Sequence, residues 1–249
     1  MKWTLQQIAE WTHANILSTY EREFVEIGTD TRDRLNGKVF IALKGESYDA
    51  HQFLDQAVQQ GAAALIVHEL PEQFKFLKEK VSILFVKDTL QALQDWAQAY
   101  RQNLKTQIIG ITGSNGKTTT KEFTAQILST FKKVHFNQGS FNNHWGVPLT
   151  LLQIPQDADF AVIEMGMNHP GEIAYLAQIG APTVALITNA PLTGAHERVS
   201  CAGCHQGRDA LNPMSRCGQC HTDRHRGQLG EDCARCHSTA TFKTAIIRQ

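Results

Sequence analysis

Eight consecutive residues, Gly113-Ser114-Asn115-Gly116-Lys117-Thr118-Thr119-Thr120, carry the residue types that phosphate chemistry needs, in a workable order. Two glycines let backbone N–H groups approach an anion, and a helix starting at Lys117 would add the favourable end of its dipole. Lys117 is placed to reach the terminal phosphates of a nucleotide, and the Thr118 hydroxyl to hold Mg²⁺. The spacing departs from the general phosphate-loop pattern, because Ile111 stands where its first glycine would be. The competing reading is a glycine turn followed by a chance Lys-Thr pair.

A second constellation lies near the other end. Cys201-Ala202-Gly203-Cys204-His205, Cys217-Gly218-Gln219-Cys220-His221 and Cys233-Ala234-Arg235-Cys236-His237 repeat one pattern every sixteen residues. In each, the two thiols suit covalent attachment to haem vinyl groups, and the adjacent histidine suits the proximal side of the iron. Zinc is the alternative, since two Cys-x-x-Cys pairs make a tetrahedral thiolate site. That leaves one pair over and gives no reason for a histidine after each pair. A redox dithiol is a third reading.

The phosphate-binding residues require strands and helices to aim them. Gln107 to Thr112 reads as an apolar strand, Gly113 to Gly116 as a tight turn, and Lys117 to Phe131 as a helix with Phe123, Ile127 and Leu128 facing inward. Phe160 to Glu164 and Thr183 to Thr188 read as further buried strands, with a helix from about Gly171 to Gln178 between them. Upstream, Thr4 is expected to cap a helix bearing Leu5, Ile8 and Ala9 on one face. Val39 to Leu43, Ala63 to Val67 and Ile83 to Val86 read as strands, His51 to Gln60 as a helix, and Asp88 as the cap of a helix running to about Leu104. Strands alternating with helices predict an α/β protein with a first domain over 1–105 and a second, partial nucleotide-binding domain over 106–190. The incomplete second sheet is expected to expose an apolar edge.

From Pro191 the apolar periodicity stops. Residues 191–249 form a segment of low secondary structure that cannot bury enough apolar surface to order itself without a cofactor or metal. All six cysteines of the 249-residue chain lie there. Lys and Arg total 24, as do Asp and Glu, so a net charge of zero gives no general reason to expect nucleic acid as a partner. No apolar run reaches the length of a membrane span, and Met1 to Phe24 lacks a signal-peptide core, which predicts a cytoplasmic location.

Several stretches together carry a resemblance: Thr29-Asp30-Thr31-Arg32; Ala42 to Glu46 with Asp49-Ala50-His51-Gln52-Phe53; Ile111 to Thr120; Phe141 to Thr150; and Glu164-Met165-Gly166-Met167-Asn168 with Gly171-Glu172-Ile173. In this order they resemble the Mur ligases, ATP-dependent carboxylate–amine ligases of peptidoglycan precursor synthesis. Within that family, residues 1–190 look like the members that add D-alanyl-D-alanine to UDP-N-acetylmuramoyl-tripeptide.

The resemblance implies that Thr31, Arg32, Lys44, Gly45, Glu46, Asp49 and His51 surround the UDP-sugar peptide. Asn142 and Asn143 would stand near nucleotide and substrate, and Glu164 would be a Mg²⁺ ligand. Read alone, Thr31-Arg32 is a turn with a surface ion pair, the asparagines are turn formers, and Glu164 is a capping or ion-paired residue. The implied reaction starts with a substrate carboxylate attacking the γ-phosphate of ATP to give an acyl phosphate. The amine of D-alanyl-D-alanine then displaces phosphate while Lys117 and Mg²⁺ neutralise charge. After Ala190 the sequence leaves the family's pattern, so catalysis is expected to be impaired.

The tail resembles multihaem cytochromes c of the doubled Cys-x-x-Cys-His type. That resemblance implies up to three haem c groups, with His196 and His225 as distal iron ligands, and redox partners for the matured tail. Haem attachment in that family takes place outside the cytoplasmic membrane, in conflict with the location expected for residues 1–190. The tail is therefore expected to stay without haem when the chain is made as written.

Overall fold

A computed structural model describes residues 3–20, 23–24, 26–45, 48–139 and 141–189. The three sheets among the described residues, one of two strands, one of five and one of four, lie in one compact unit, Met1–Asn189. The chain opens with β1 (Trp3–Thr4) and α1 (Leu5–Thr12), joined by a reciprocal cap. The Thr4 hydroxyl accepts from the Gln7 amide, and the Gln7 side chain accepts from the Thr4 amide. Leu5, Ile8, Ala9 and Thr12 then fall on the buried face, as the sequence spacing predicts.

Five strands follow around one sheet: β2 (Asn15–Ser18), β4 (Ile27–Gly28), β5 (Val39–Ile41), β6 (Ala64–Val67) and β7 (Ser82–Phe85), with β3 (Glu23–Phe24) pairing β1 instead. Their order is β2-β7-β6-β5-β4, parallel except for the antiparallel β2 edge. The segment expected as one helix over His51 to Gln60 begins as a 3-10 turn, Ala50–Phe53, and continues as α2 (Leu54–Gln59). Residues with apolar side chains on both sheet faces account for the unbroken buried runs of β5 and β6.

The second sheet is wholly parallel. β8 (Gln107–Gly113) is flanked by β10 (Phe160–Glu164) on one side and β11 (Val184–Thr188) on the other, with β9 (Val134–Phe136) beyond β10. The connections are α4 (Lys117–Ser129), α5 (Gly146–Leu152) and α6 (Glu172–Gly180). The carboxyl ends of β8, β10 and β11 therefore meet along one rim, which is where open α/β sheets bind ligands.

One expectation fails on α4. Phe123 and Ile127 are 61% and 63% exposed rather than inward. The helix packs on the sheet through Lys121, Ala125 and the partly buried Leu128, whose i, i+4, i+7 spacing defines a different face. A buried lysine occupied a position that an apolar count assigned to solvent. At the sheet's other edge among the described residues, β11 departs from the buried strand that the sequence predicts, since Val184, Leu186 and Ile187 are exposed.

The boundary near residue 105 separates the two sheets but not the interior. One hydrophobic cluster runs from Trp3, Ile8 and Ile41 through Trp96 and Tyr100 to Ile108, Leu151 and Ile163. Its hinge is α3 (Thr89–Gln102), capped by Asp88 Oδ1 on the amides of Leu90 and Gln91. Trp96 and Tyr100 meet Trp3 edge-on, with ring centroids 5.0 and 5.5 Å from it. Polar groups reach the other way: Tyr100 donates to Ile154 O at 2.6 Å, and Arg101 donates to Gly180 O and Ala181 O at the end of α6. Trp96→Ala should lower the stability of this shared interior by about 3–5 kcal/mol, measured by urea unfolding. A loss below about 1 kcal/mol would mean that the two sheets do not depend on α3 for a common core.

Candidate functional site: a phosphate loop beside a buried carboxylate

The loop after β8 turns because two glycines permit it. Gly113 has φ +139°, and a Cβ there would lie 1.8 Å from Thr188 O, so no other residue fits between β8 and the end of β11. Gly116, at φ +79°, precedes the first turn of α4, whose N-terminus has no side-chain cap. The amides of that turn are thus presented to the rim. The loop is pinned to β11 by Ser114 Oγ donating to Asn189 O at 2.6 Å and Thr188 Oγ1 donating to Asn115 O at 2.7 Å. Lys117 Nζ donates to Gly113 O at 2.8 Å, curling the ammonium over the loop. Thr118 and Thr119 are exposed at the start of the helix.

Glu164 ends β10 opposite Ile111, beside this loop. Its residue is 1% exposed. Oε1 accepts from Asn142 Nδ2 at 2.7 Å, whereas Oε2 is buried without a hydrogen-bond partner among the described residues. A buried carboxylate oxygen left unpaired is costly, and a hard cation is the group that fits it. The Glu164 carboxylate and the Thr118 hydroxyl are oxygen donors of the kind magnesium takes. Asn142 is thereby brought to the site. Asn143 is exposed, and its Oδ1 accepts from the Trp145 and Gly146 amides at 3.1 and 2.9 Å, which fixes the entry to α5.

Two residues that sequence reasoning passed over belong here. Asn137 is 1% exposed, and its side chain grips Glu164 on both backbone groups. Lys121 is 0% exposed, and its Nζ donates to Asn137 O at 2.7 Å and Gly139 O at 3.1 Å. The only hint of Lys121 in the sequence is that it shares the face of Ala125 and Leu128.

The residues around Thr31 and Arg32 form a separate group on the first sheet. Thr29, Asp30, Thr31, Arg32, Tyr48, Phe53 and Gln56 line a cleft of about 490 Å³. Tyr48 and Phe53 stack there, 9° from parallel with centroids 5.4 Å apart. Thr31 is buried, and Arg32 makes a forked pair with Asp30, Nε at 2.9 Å and Nη2 at 2.5 Å from its two oxygens. Bonding to Arg32 holds the Asp30 carboxyl below its ordinary range. A separate cleft of about 410 Å³, lined by Trp3, Lys38, Tyr100 and Pro155, contains none of these residues.

Lys44, Asp49 and His51 form a connected set. Lys44 Nζ lies 3.0 Å from Asp49 Oδ2, and Asp49 Oδ1 accepts from both the His51 amide and His51 Nδ1. His51 Nε2 accepts from the His68 amide at 3.2 Å. His51 is 1% exposed and both its ring nitrogens are engaged, so it braces the loop that carries Lys44 and Asp49 and presents no face to a ligand. That also argues against a metal at His51, His68 and Glu69, whose ligand atoms lie within 4.8 Å of one another. The Gly45 amide donates to Tyr48 O at 2.8 Å, and the Gly45 Cα faces the Trp145 ring. Glu46 lies outside the described residues, as do the tail positions Cys201, Cys204, His205, Cys217, Cys220, His221, Cys233, Cys236 and His237, and with them His196 and His225.

Comparison with known proteins finds one family across both sheets. Residues 23–101 match the model of the Mur ligase family catalytic domain, and residues 111–196 match that of the Mur ligase middle domain, which runs past the boundary expected at 190. The UDP-N-acetylmuramoyl-tripeptide–D-alanyl-D-alanine ligase of Bacillus subtilis is 43% identical over 192 residues, covering 76% of this chain and 41% of its own length. The chain thus spans about two fifths of the length of the curated relatives it matches. Among solved structures, the Acinetobacter baumannii UDP-N-acetylmuramoylalanyl-D-glutamyl-2,6-diaminopimelate–D-alanyl-D-alanyl ligase aligns with a TM-score of 0.70 at 36% identity, over 85% of this chain and 44% of that one. A Thermotoga maritima Mur ligase in complex with ADP aligns with a TM-score of 0.58 at 29% identity, over 75% of this chain and 40% of that one.

The Asp49 set gives a test of the substrate side. Burial acts to raise the Asp49 carboxyl, but the His51 amide, Lys44 and the His51 ring outweigh it and bring the group down to about 2. Burial holds His51 below its ordinary value, against the opposing pull of Asp49. Both folded values are depressed, so the unfolded chain binds more protons and stability falls as pH falls. The His51 share is lost below about pH 6.5, and the Asp49 share between about pH 4 and 2. Asp49→Asn keeps the cap on the His51 amide but removes the charge. It should cost about 1 kcal/mol near neutral pH, after allowance for solvent screening, and flatten the acid limb of the melting-temperature profile. An unchanged acid limb would reject the assignment. Residues 23–101 and 111–196 thus match two domain models of the Mur ligase family, its catalytic domain and its middle domain.

Proposed function

We propose that this chain binds Mg²⁺-ATP at the loop Gly113 to Thr119 and a UDP-N-acetylmuramoyl-tripeptide on its first sheet. In this reading it serves the carboxylate-activating half of a ligation to D-alanyl-D-alanine. The observation that carries the reading is the unpaired, buried Glu164 Oε2 beside an uncapped helix N-terminus. Anion and cation sites that close together suit a nucleotide phosphate with its metal.

In this reading the backbone N–H groups of Ser114 to Thr118 receive phosphate oxygens, and Lys117 exchanges the Gly113 carbonyl for the terminal phosphate. Glu164 and Thr118 hold Mg²⁺, whose chemistry is to neutralise charge on the phosphates. Asn142 keeps the Glu164 carboxylate turned toward the loop. On the first sheet, the Tyr48–Phe53 stack and Arg32 offer a flat apolar face and a cation, which suits a nucleotide base with its diphosphate. Lys44, held by Asp49, adds a second cation.

Lys117→Ala and Glu164→Gln should each weaken Mg²⁺-ADP binding at least about tenfold, or about 1.4 kcal/mol, in isothermal titration. Glu164→Gln should leave binding in EDTA unchanged within about twofold, because it removes only the cation's ligand. Affinity for Mg²⁺-ADP that is indifferent to both substitutions would overturn the reading. Formation of ADP and ligated product from UDP-N-acetylmuramoyl-tripeptide and D-alanyl-D-alanine would extend it from binding to turnover.

For the tail a second proposal stands beside the first. Its three Cys-x-x-Cys-His motifs at sixteen-residue spacing favour covalent haem c, with His205, His221 and His237 as proximal ligands. His225 is kept as a distal ligand. His196 is released from that role, because it falls within the match to the Mur ligase middle domain. Expression with a cytochrome maturation system should add up to three haem increments to the intact mass. Stoichiometric zinc with no added mass would establish the alternative thiolate site.

A further inference from the structure

The unpaired oxygen of Glu164 has an orientation that something must fix, and the cation reading above leaves that unexplained. The ladder between β9 and β10 ends where Phe136 faces Val162. Beyond it, the Asn137 side chain takes over the ladder's role. Its Oδ1 accepts from the Glu164 amide at 2.9 Å, and its Nδ2 donates to Glu164 O at 3.3 Å and to Phe141 O at 2.9 Å. One side chain thus ties the backbone of the carboxylate residue to the loop carrying Asn142, the residue that bonds the same carboxylate from its other end. Asn142 closes the circuit, since its own carbonyl accepts from the Gly166 amide at 2.7 Å.

Asn137 in turn is held from α4. Lys121 Nζ, wholly buried, donates to the carbonyls of Asn137 and Gly139 and lies 3.0 Å from Glu122 Oε1. A lysine ammonium taken out of water is costly, and it is retained here against two loop carbonyls and one carboxylate. Lys121 is one helical turn beyond Lys117 on the helix whose start faces the phosphate site. The anion-binding helix and the cation-binding carboxylate are therefore joined through Lys121, Asn137 and Glu164 by direct hydrogen bonds.

We propose that Asn137, anchored by Lys121, is the positioning residue for Glu164 and sets how much a divalent cation adds to nucleotide affinity at this site. The proposal rests on the magnesium reading of Glu164 and is separable from it. Neither residue touches nucleotide or cation. Their action is to hold the carboxylate and the loop in register, a requirement more exacting for a metal ligand than for backbone amides that donate to phosphate.

The test is the ratio of ADP affinity in Mg²⁺ to that in EDTA, measured by titration calorimetry on the full chain. The wild-type chain, Asn137→Ala, Lys121→Met, Glu164→Gln and the double variant Asn137→Ala/Glu164→Gln are compared. Asn137→Ala should reduce the wild-type ratio at least about fivefold while leaving affinity in EDTA within about twofold, and Lys121→Met should shift it in the same direction. In the Glu164→Gln background, Asn137→Ala should add no further loss, because its effect passes through that carboxylate. If Lys121→Met fails to fold, the Asn137 cycle carries the test alone.

An unchanged ratio in Asn137→Ala would overturn the proposal, and so would an equal loss of affinity in Mg²⁺ and EDTA, or an additive loss in the double variant. A wild-type ratio near one would instead sink the magnesium reading, and the proposal with it.

Discussion

A carboxyl group buried at the end of a parallel strand, with one oxygen paired and the other bare, is costly to keep, and the protein commits its neighbouring polar groups to holding it in place. That constraint explains most of what surrounds Glu164. Asn142 occupies Oε1, the Asn137 side chain occupies the backbone of Glu164, and Lys121 occupies the carbonyl of Asn137. Each polar group but Oε2 has been given a partner from the protein. The loop glycines beside it meet the complementary demand: an uncapped helix start exposes amides that a dianion satisfies. On the reading proposed above, a phosphate and its cation would satisfy the two halves together.

This rim can be held rigid because the two sheets do not have separate interiors. α3 presents Trp96 and Tyr100 to Trp3, and sends Gln94, Tyr100 and Arg101 to carbonyls and a hydroxyl of the second sheet's loops and helices. The Gly45 turn approaches Trp145, just ahead of α5. The loop bearing the first sheet's cations thus touches the segment next to the asparagine pair. The two sheets are positioned against one another by packing as well as by the covalent link at residue 105.

Elements whose signals are local were legible in the sequence. The Thr4 and Asp88 caps, the apolar strands β5, β6, β8 and β10, and the glycine loop were all readable from residue type and spacing. What failed was the face of α4. Phe123 and Ile127 outweigh Ala125 in any apolar count, yet the helix turns Lys121 and Ala125 inward, because a buried ammonium bonded to two carbonyls serves the loop beneath it. The short strands β2, β3 and β4 and the 3-10 turns depend on neighbours in space, and no window of sequence carries them.

The motif residues divide by what their polar atoms already hold. Asn142 and Asn143 are adjacent and identical in type, but one bonds a carboxylate and the other caps the turn into α5. Asp49 and Lys44 keep charge at the surface of their loop, whereas His51, two residues on, spends both nitrogens on Asp49 and the His68 amide. A side chain with every donor and acceptor committed inside the protein has nothing left with which to recognise a ligand. Family-like spacing therefore marks both the residues that meet ligands and those that hold the backbone for them, and hydrogen-bond accounting tells the two apart. On the proposed reading Lys117, Thr118, Glu164 and Asn142 would face the phosphate site and Arg32 and Lys44 the first sheet's cleft and loop, while His51, with both ring nitrogens committed, is a support. Asn137 and Lys121 join it without any motif to mark them.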